Sequence, residues 1–123
     1  MDQETKMSEN RNNKSYEIHI AGQRWTVRLV NSHDPNLIIN GDVCLGTAWP
    51  AKMEIYISNE LTGDRALRTI RHELAHAFLN ATQCFHNETF TEEEVCDFVA
   101  IWAKDIVPVS LLIASALGVS CNG

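Results

Sequence analysis

The chain has little of what marks several protein classes. Its four cysteines, Cys44, Cys84, Cys96 and Cys121, form no Cys-x-x-Cys pair, so neither a zinc knuckle nor a disulfide framework is indicated, and reduced thiols in a cytoplasm are expected. Basic residues are outnumbered, 10 Lys and Arg against 16 Asp and Glu. The net charge of −6 argues against a general nucleic-acid binder, which needs a phosphate-neutralising basic excess. Residues 1–15 are polar and hold no apolar stretch, so they do not read as a signal peptide and are expected to form a disordered tail. The apolar run from Ile106 to Val119 is shorter than the roughly 20 residues a membrane span requires. Bracketed by Pro108 and Gly118, it predicts a separate third helix used in the core or in a dimer, with no membrane as partner. No proline interrupts the run from Arg65 to Gln83.

At 123 residues and 45% hydrophobic content, one modest core can be buried, and 16–119 is expected to be a single domain. Tyr16–Ile20 and Trp25–Val30 alternate as strands do, with Ala21-Gly22-Gln23-Arg24 between them, and predict a hairpin. Asp34-Pro35 and Asn40-Gly41 signal turns. Val43–Trp49 and Met53–Ser58 read as two further strands with Pro50-Ala51 at the bend. Strands precede helices throughout, which favours an α+β fold with helices on one face of a mostly antiparallel sheet of three to four strands.

Residues 72–76 read His72-Glu73-Leu74-Ala75-His76, an H-E-x-x-H. On a helix the two histidines project from one face, where two imidazoles can hold one zinc ion while Glu73 leans over the open coordination position as general base toward a water. Leu67, Ile70, Leu74, Ala77, Phe78 and Ala81 recur at helical spacing, and Thr62-Gly63-Asp64 supplies a start. A second element, Thr91 to Ala100, opens with Thr91 and Glu94 spaced as a capping box. Glu93 and Asp97 then share a helix face. A two-histidine zinc site wants a third protein ligand, for which a carboxylate is suitable, and an acid one turn further on can orient a ligand imidazole.

His-Glu-Leu-Ala-His-Ala-Phe-Leu, a short connection, and Glu-Glu-Val-Cys-Asp-Phe-Val-Ala resemble the H-E-x-x-H … E-x-x-A-[ND]-x-F-A pattern of the ImmA/IrrE metallopeptidases, in their small stand-alone form from phages and mobile elements. The resemblance covers about Gly41 to Lys104, with Cys96 at a position usually held by alanine. It implies a minimal gluzincin-type zincin fold with H-E-x-x-H on the first long helix. It also implies one zinc ion per chain on His72, His76 and Glu93, with Glu73 as the catalytic base. The helix-turn-helix or sensor domain that often accompanies that peptidase is not seen in this sequence.

Glu93 is preferred over two neighbours as third ligand. Glu94 is occupied if it serves the capping box, and His86 falls in a stretch of poor helical periodicity, at the rim of the site. Asp97 is expected to support a ligand histidine. The substrate is expected to be a protein or peptide that adds to Met53–Ser58 as to a sheet edge, with Glu54, Tyr56 and Ser58 facing outward. Arg68 and Arg71 are expected to make surface salt bridges, and His19 and His33 to be structural and solvated. Two other readings remain open at this stage. One is a catalytically weak zincin-scaffold interaction module. The other is a SprT-like protease, which would call for a basic surface or a zinc ribbon.

Overall fold

A computed structural model of the chain describes residues 14–82 and 90–119. Two strands, β1 (Ser15–Ile20) and β2 (Gln23–Val30), form the expected hairpin. Its turn is two residues, Ala21 and Gly22, both at positive φ (50° and 83°); that geometry matches the twist of the strands it joins. Lys14 and Ser15 belong to this hairpin, Ser15 as the first residue of β1 and Lys14 through its carbonyl, which accepts from the Leu29 N–H at 2.8 Å. The remainder of the tail expected over 1–15 lies outside the described residues.

A 3-10 turn, Pro35–Leu37, follows, its N-terminus capped by the Asp34 carboxylate. A second small hairpin pairs β3 (Ile38–Ile39) with β4 (Asp42–Val43) across Asn40-Gly41. The single strand expected over Val43–Trp49 is therefore divided. Val43 belongs to the small hairpin, and β5 (Gly46–Trp49) joins the main sheet. The order of that sheet is β1-β2-β6-β5, where β6 is Glu54–Ser58. Its outer pairs are antiparallel and the central β2–β6 pair is parallel.

This order overturns one expectation. The strand Met53–Ser58 was to be an edge, but β6 is paired on both sides, with β2 and with β5. Its alternate residues are committed as well. Tyr56 is buried with Val30 and Leu37 on the sheet face opposite the helices, and its hydroxyl donates to Glu54. Arg28 Nε and Nη2 also donate to Glu54, at 3.2 and 3.0 Å. The Tyr56 hydrogen bond, with help from Arg28, holds the Glu54 carboxyl below its usual range, whereas burial and the Glu54 contact push Tyr56 up to about 12. The edge is β5.

The helices cover the other face. Ile18, Ile20, Trp25, Val27, Ile55 and Ile57 of the sheet meet Ile70, Leu74, Ala77 and Phe78 of α1 (Gly63–Thr82) in the main core. That core continues into α2 (Glu92–Leu117) through Ile106, Ile113, Ala114 and Leu117. Among the described residues the arrangement is α+β, with a mostly antiparallel four-stranded sheet and two α-helices. The expected capping box is present at the start of α2: the Glu94 N–H donates to Thr91 Oγ1 at 3.1 Å and the Thr91 N–H to Glu94 Oε1 at 2.9 Å.

The apolar C-terminal run is not a helix of its own. It continues α2, which passes through Pro108 and ends at Leu117, before the left-handed Gly118. The proline φ suits a helix, and the missing N–H costs one backbone bond, to the Lys104 carbonyl. At 26 residues, α2 is long and apolar enough to cross a membrane by length and composition alone. Here Ile106, Ser110, Ile113 and Leu117 are buried against the body, while Val95, Val99, Ile101, Leu111 and Leu112 are exposed. Pro108→Ala is expected to restore the Lys104 bond and stabilise the fold by about 1–3 kcal/mol, read as a higher denaturant midpoint with an unchanged slope. A loss of stability would show that the proline is needed for the packing of α2.

Candidate metal centre

The H-E-x-x-H segment lies at the middle of α1, a 20-residue helix. Thr62 opens it, its carbonyl accepting the first helical bond from Ala66 N–H at 3.3 Å. Ile70, Leu74 and Ala77 are completely buried and point that stripe of the helix into the core. The rotation so fixed leaves His72 and His76 at the surface, with ring centroids 4.9 Å apart and planes at 73°. Glu73, between them in sequence, is turned inward and only 6% exposed.

What receives Glu73 is the start of β5. A Cβ on Gly46 would stand 2.6 Å from Thr69 Cγ2, 3.1 Å from Glu73 Cγ and 3.3 Å from Glu73 Oε2. Helix and strand thus meet at a distance that only glycine permits, and the carboxylate is wedged beside the strand backbone. A glycine inside a strand pattern is a signal for such an approach, and it was the one cue in the sequence for this contact.

Desolvation sets the charge states. Burial pushes the Glu73 carboxyl up to about 7 from 4.5. Burial, reinforced by His72, lowers the His76 pKa, which favours the neutral imidazole that a metal requires. A carboxyl poised near neutrality accepts and returns a proton with little penalty in either direction.

Two cavities meet at this point, of about 600 and 620 Å³, sharing Gly46, His72 and Glu73. The first extends past Leu45, Arg68, Thr69 and Arg71. The second extends past His76, Ala48 and Pro50 to Leu79, Phe90 and Ile39. Together they form an open groove between α1 and the outer edge of β5. Arg68 and Arg71 do not make the expected salt bridges: among the described residues neither has a carboxylate within 4.0 Å, and Arg71 Nε instead donates to Ser110 Oγ at 2.9 Å.

The residues present suit a metal in part. The imidazole pair and the adjacent carboxylate have the right chemistry and share one groove. The third ligand does not join them: among the described residues no three His, Cys, Asp or Glu side chains come close enough to hold one ion. The reason lies in how α2 docks. The Phe78–Trp102 ring contact and the Arg71–Ser110 hydrogen bond set the helices antiparallel. His76 is then level with about residue 104 of α2, and Glu93 lies roughly 16 Å further along the axis. Arg71 and Phe78 also lie roughly 100–160° round α1 from the histidines. Glu93 and Asp97 are both exposed, and their expected convergence with His72 and His76 is not present. His86 lies outside the described residues. No family model, curated protein or solved structure is significantly similar to the chain.

Two outcomes follow from this geometry. Gly46→Ala is expected to destabilise the chain by about 1–3 kcal/mol through overpacking, and Thr69→Ala, which removes the nearest atom, should recover much of that loss. A double-mutant cycle by chemical denaturation measures the coupling, and strict additivity would place the contact elsewhere. Glu73 contributes to the pH dependence of the metal-free chain. Its folded state holds the proton more tightly than the unfolded state, so its contribution is favourable below about pH 4.5 and is lost as pH rises through about 7. Glu73→Gln is therefore expected to raise stability at about pH 8, by on the order of 1–3 kcal/mol, and to change it little at about pH 4. Equal effects at both pH values would show that Glu73 is not desolvated.

Proposed function

We propose that the chain is a zinc-dependent metallopeptidase that hydrolyses peptide bonds of a protein substrate, as the ImmA/IrrE-like pattern implies, with a zincin fold. One observation carries this reading. A buried carboxylate, Glu73, lies beside two accessible, adjacent imidazoles in a groove flanked by a strand whose outer edge has no partner among the described residues. An extended peptide adds to such an edge through main-chain hydrogen bonds, which brings its carbonyls past His72 and His76. On this reading β5 takes the place expected for Met53–Ser58.

In this assignment His72 and His76 supply two ligands. Glu93 supplies the third, with Asp97 orienting a ligand imidazole. Glu93 is distant from the pair in the docking described above, so it would complete the site only if the first turns of α2 stood nearer His76, which would couple metal affinity to local structure. The chemistry a zinc ion supplies in such a site is Lewis acidity toward a carbonyl oxygen and toward water. Glu73 takes the proton of the attacking water and hands it to the leaving amine. The peptide acts as substrate in the cytoplasm, without nucleic acid or membrane.

A second reading has one observation in its favour. A groove-binding interaction module on the same scaffold, cleaving little, needs no third ligand, and none converges among the described residues.

Glu73→Gln separates the two. On the peptidase reading the variant keeps its zinc, measured by metal analysis after dialysis, and loses about 10²–10⁴ in rate. His72→Ala and His76→Ala lose the metal. Glu93→Ala weakens metal binding without unfolding the chain. A wild-type chain that holds no stoichiometric zinc after reconstitution would leave the interaction module as the function.

A further inference from the structure

The groove is not uniform along its length. β5 and α1 run alongside each other in the same sense, since Leu45 and Arg68 line one end and Pro50 and Leu79 the other. The first end is cationic. Arg65, Arg68 and Arg71 precede the histidine pair on α1, and none lies within 4.0 Å of a carboxylate among the described residues; the ion pairs found there are Arg24–Glu17, Arg28–Glu54 and Lys104–Asp105. In a chain of net charge −6, three uncompensated arginines on consecutive turns are a local departure from the average. Arg71 lines this end but spends its Nε on the buried Ser110, on the α2 side of the helix, which leaves the exposed Arg68 as the group that meets an anion there. The other end is apolar, with Ile39 from the small hairpin, Leu79 from α1 and Phe90 ahead of α2.

We propose that the groove selects an extended peptide bearing an acidic side chain at the Arg68–Arg71 end and a bulky apolar side chain at the Ile39–Leu79–Phe90 end, with the histidine pair between them. This rests on the reading of the site as one that binds peptide. From Arg68 to Leu79 the helix rises about 16 Å, and an extended chain covers that distance in about five residues. The two selected side chains are therefore about five positions apart, flanking the bond above Glu73. A nucleic acid fits less well, because the apolar end offers a phosphate nothing and a net-negative surface repels the rest of the polyanion.

The test uses Glu73→Gln protein, so that bound peptide persists, and fluorescence anisotropy with labelled hexapeptides: glutamate, four alanines and phenylalanine, and the same residues reversed. The glutamate peptide is expected to bind about fivefold tighter than its glutamine analogue in one of the two orientations, as a partly exposed charge pair allows. Replacing phenylalanine by alanine should also weaken it. Arg68→Glu, at an exposed position, is expected to abolish the preference and to favour the lysine peptide; Arg68→Gln should remove it without reversal, both variants being checked for folding by circular dichroism. Equal binding of glutamate and glutamine peptides, no binding of any peptide, or tighter binding of a single-stranded oligonucleotide would each overturn the proposal. Wild-type protein loaded with zinc separates it from the peptidase reading. Selective binding without cleavage sinks only that reading, and cleavage indifferent to the acidic residue sinks only this one.

Discussion

The approach of α1 to β5 at Gly46 is the constraint on which the rest of the structure depends. A strand residue without a Cβ lets the helix come close enough for Thr69 and Glu73 to occupy the space that a Cβ there would need. That contact fixes the rotation of α1 at its outer flank, while Ile70, Leu74 and Ala77 fix it at the core. With both flanks held, His72 and His76 have one place to be, at the lip of the groove. Glu73 also has one, out of water. The same contact makes β5 a wall of the groove rather than an ordinary sheet edge.

Burying Glu73 works against folding. A carboxyl whose ionised form is disfavoured by desolvation lowers stability near neutral pH and becomes a proton acceptor of useful strength there. Local destabilisation of this kind is common where chemistry is done. The cost is borne by a core that is continuous from β1 through the C-terminal half of α2. The other half of α2 packs on that core only through Phe98 and Trp102, while Val95, Val99 and Ile101 are exposed. The helix thus begins with a capped turn that precedes its first core contact at Phe98, and Glu93 belongs to that turn.

Much of the local structure was legible in the residues. Alternating apolar positions marked both strands of the first hairpin, and Asn40-Gly41 marked a turn that proved to join β3 and β4. Thr91 and Glu94 announced the start of α2 and form the box that their spacing required. The helical run around His72-Glu73-Leu74-Ala75-His76 was plain from its period. These features depend on backbone geometry and on neighbours within a few positions, which a sequence states directly.

What involves partners distant in the chain was not legible. Nothing in Met53–Ser58 says which strand lies on either side of it, and its alternation suits an edge with one wet face as well as an interior strand with a second small core beneath Tyr56. Pro108 reads locally as a boundary, yet packing on both sides of it carries α2 through. The lack of carboxylate partners for Arg68 and Arg71 is a fact of the surroundings and not of their spacing. By itself, then, the sequence determined the first hairpin, the starts of both helices and the three side chains of the H-E-x-x-H segment on α1, because helical periodicity and turn chemistry are short-range. The tertiary structure alone decided which strand borders the groove, how far Glu93 stands from the histidines and how deeply Glu73 is desolvated, because each depends on burial against residues that are remote along the chain.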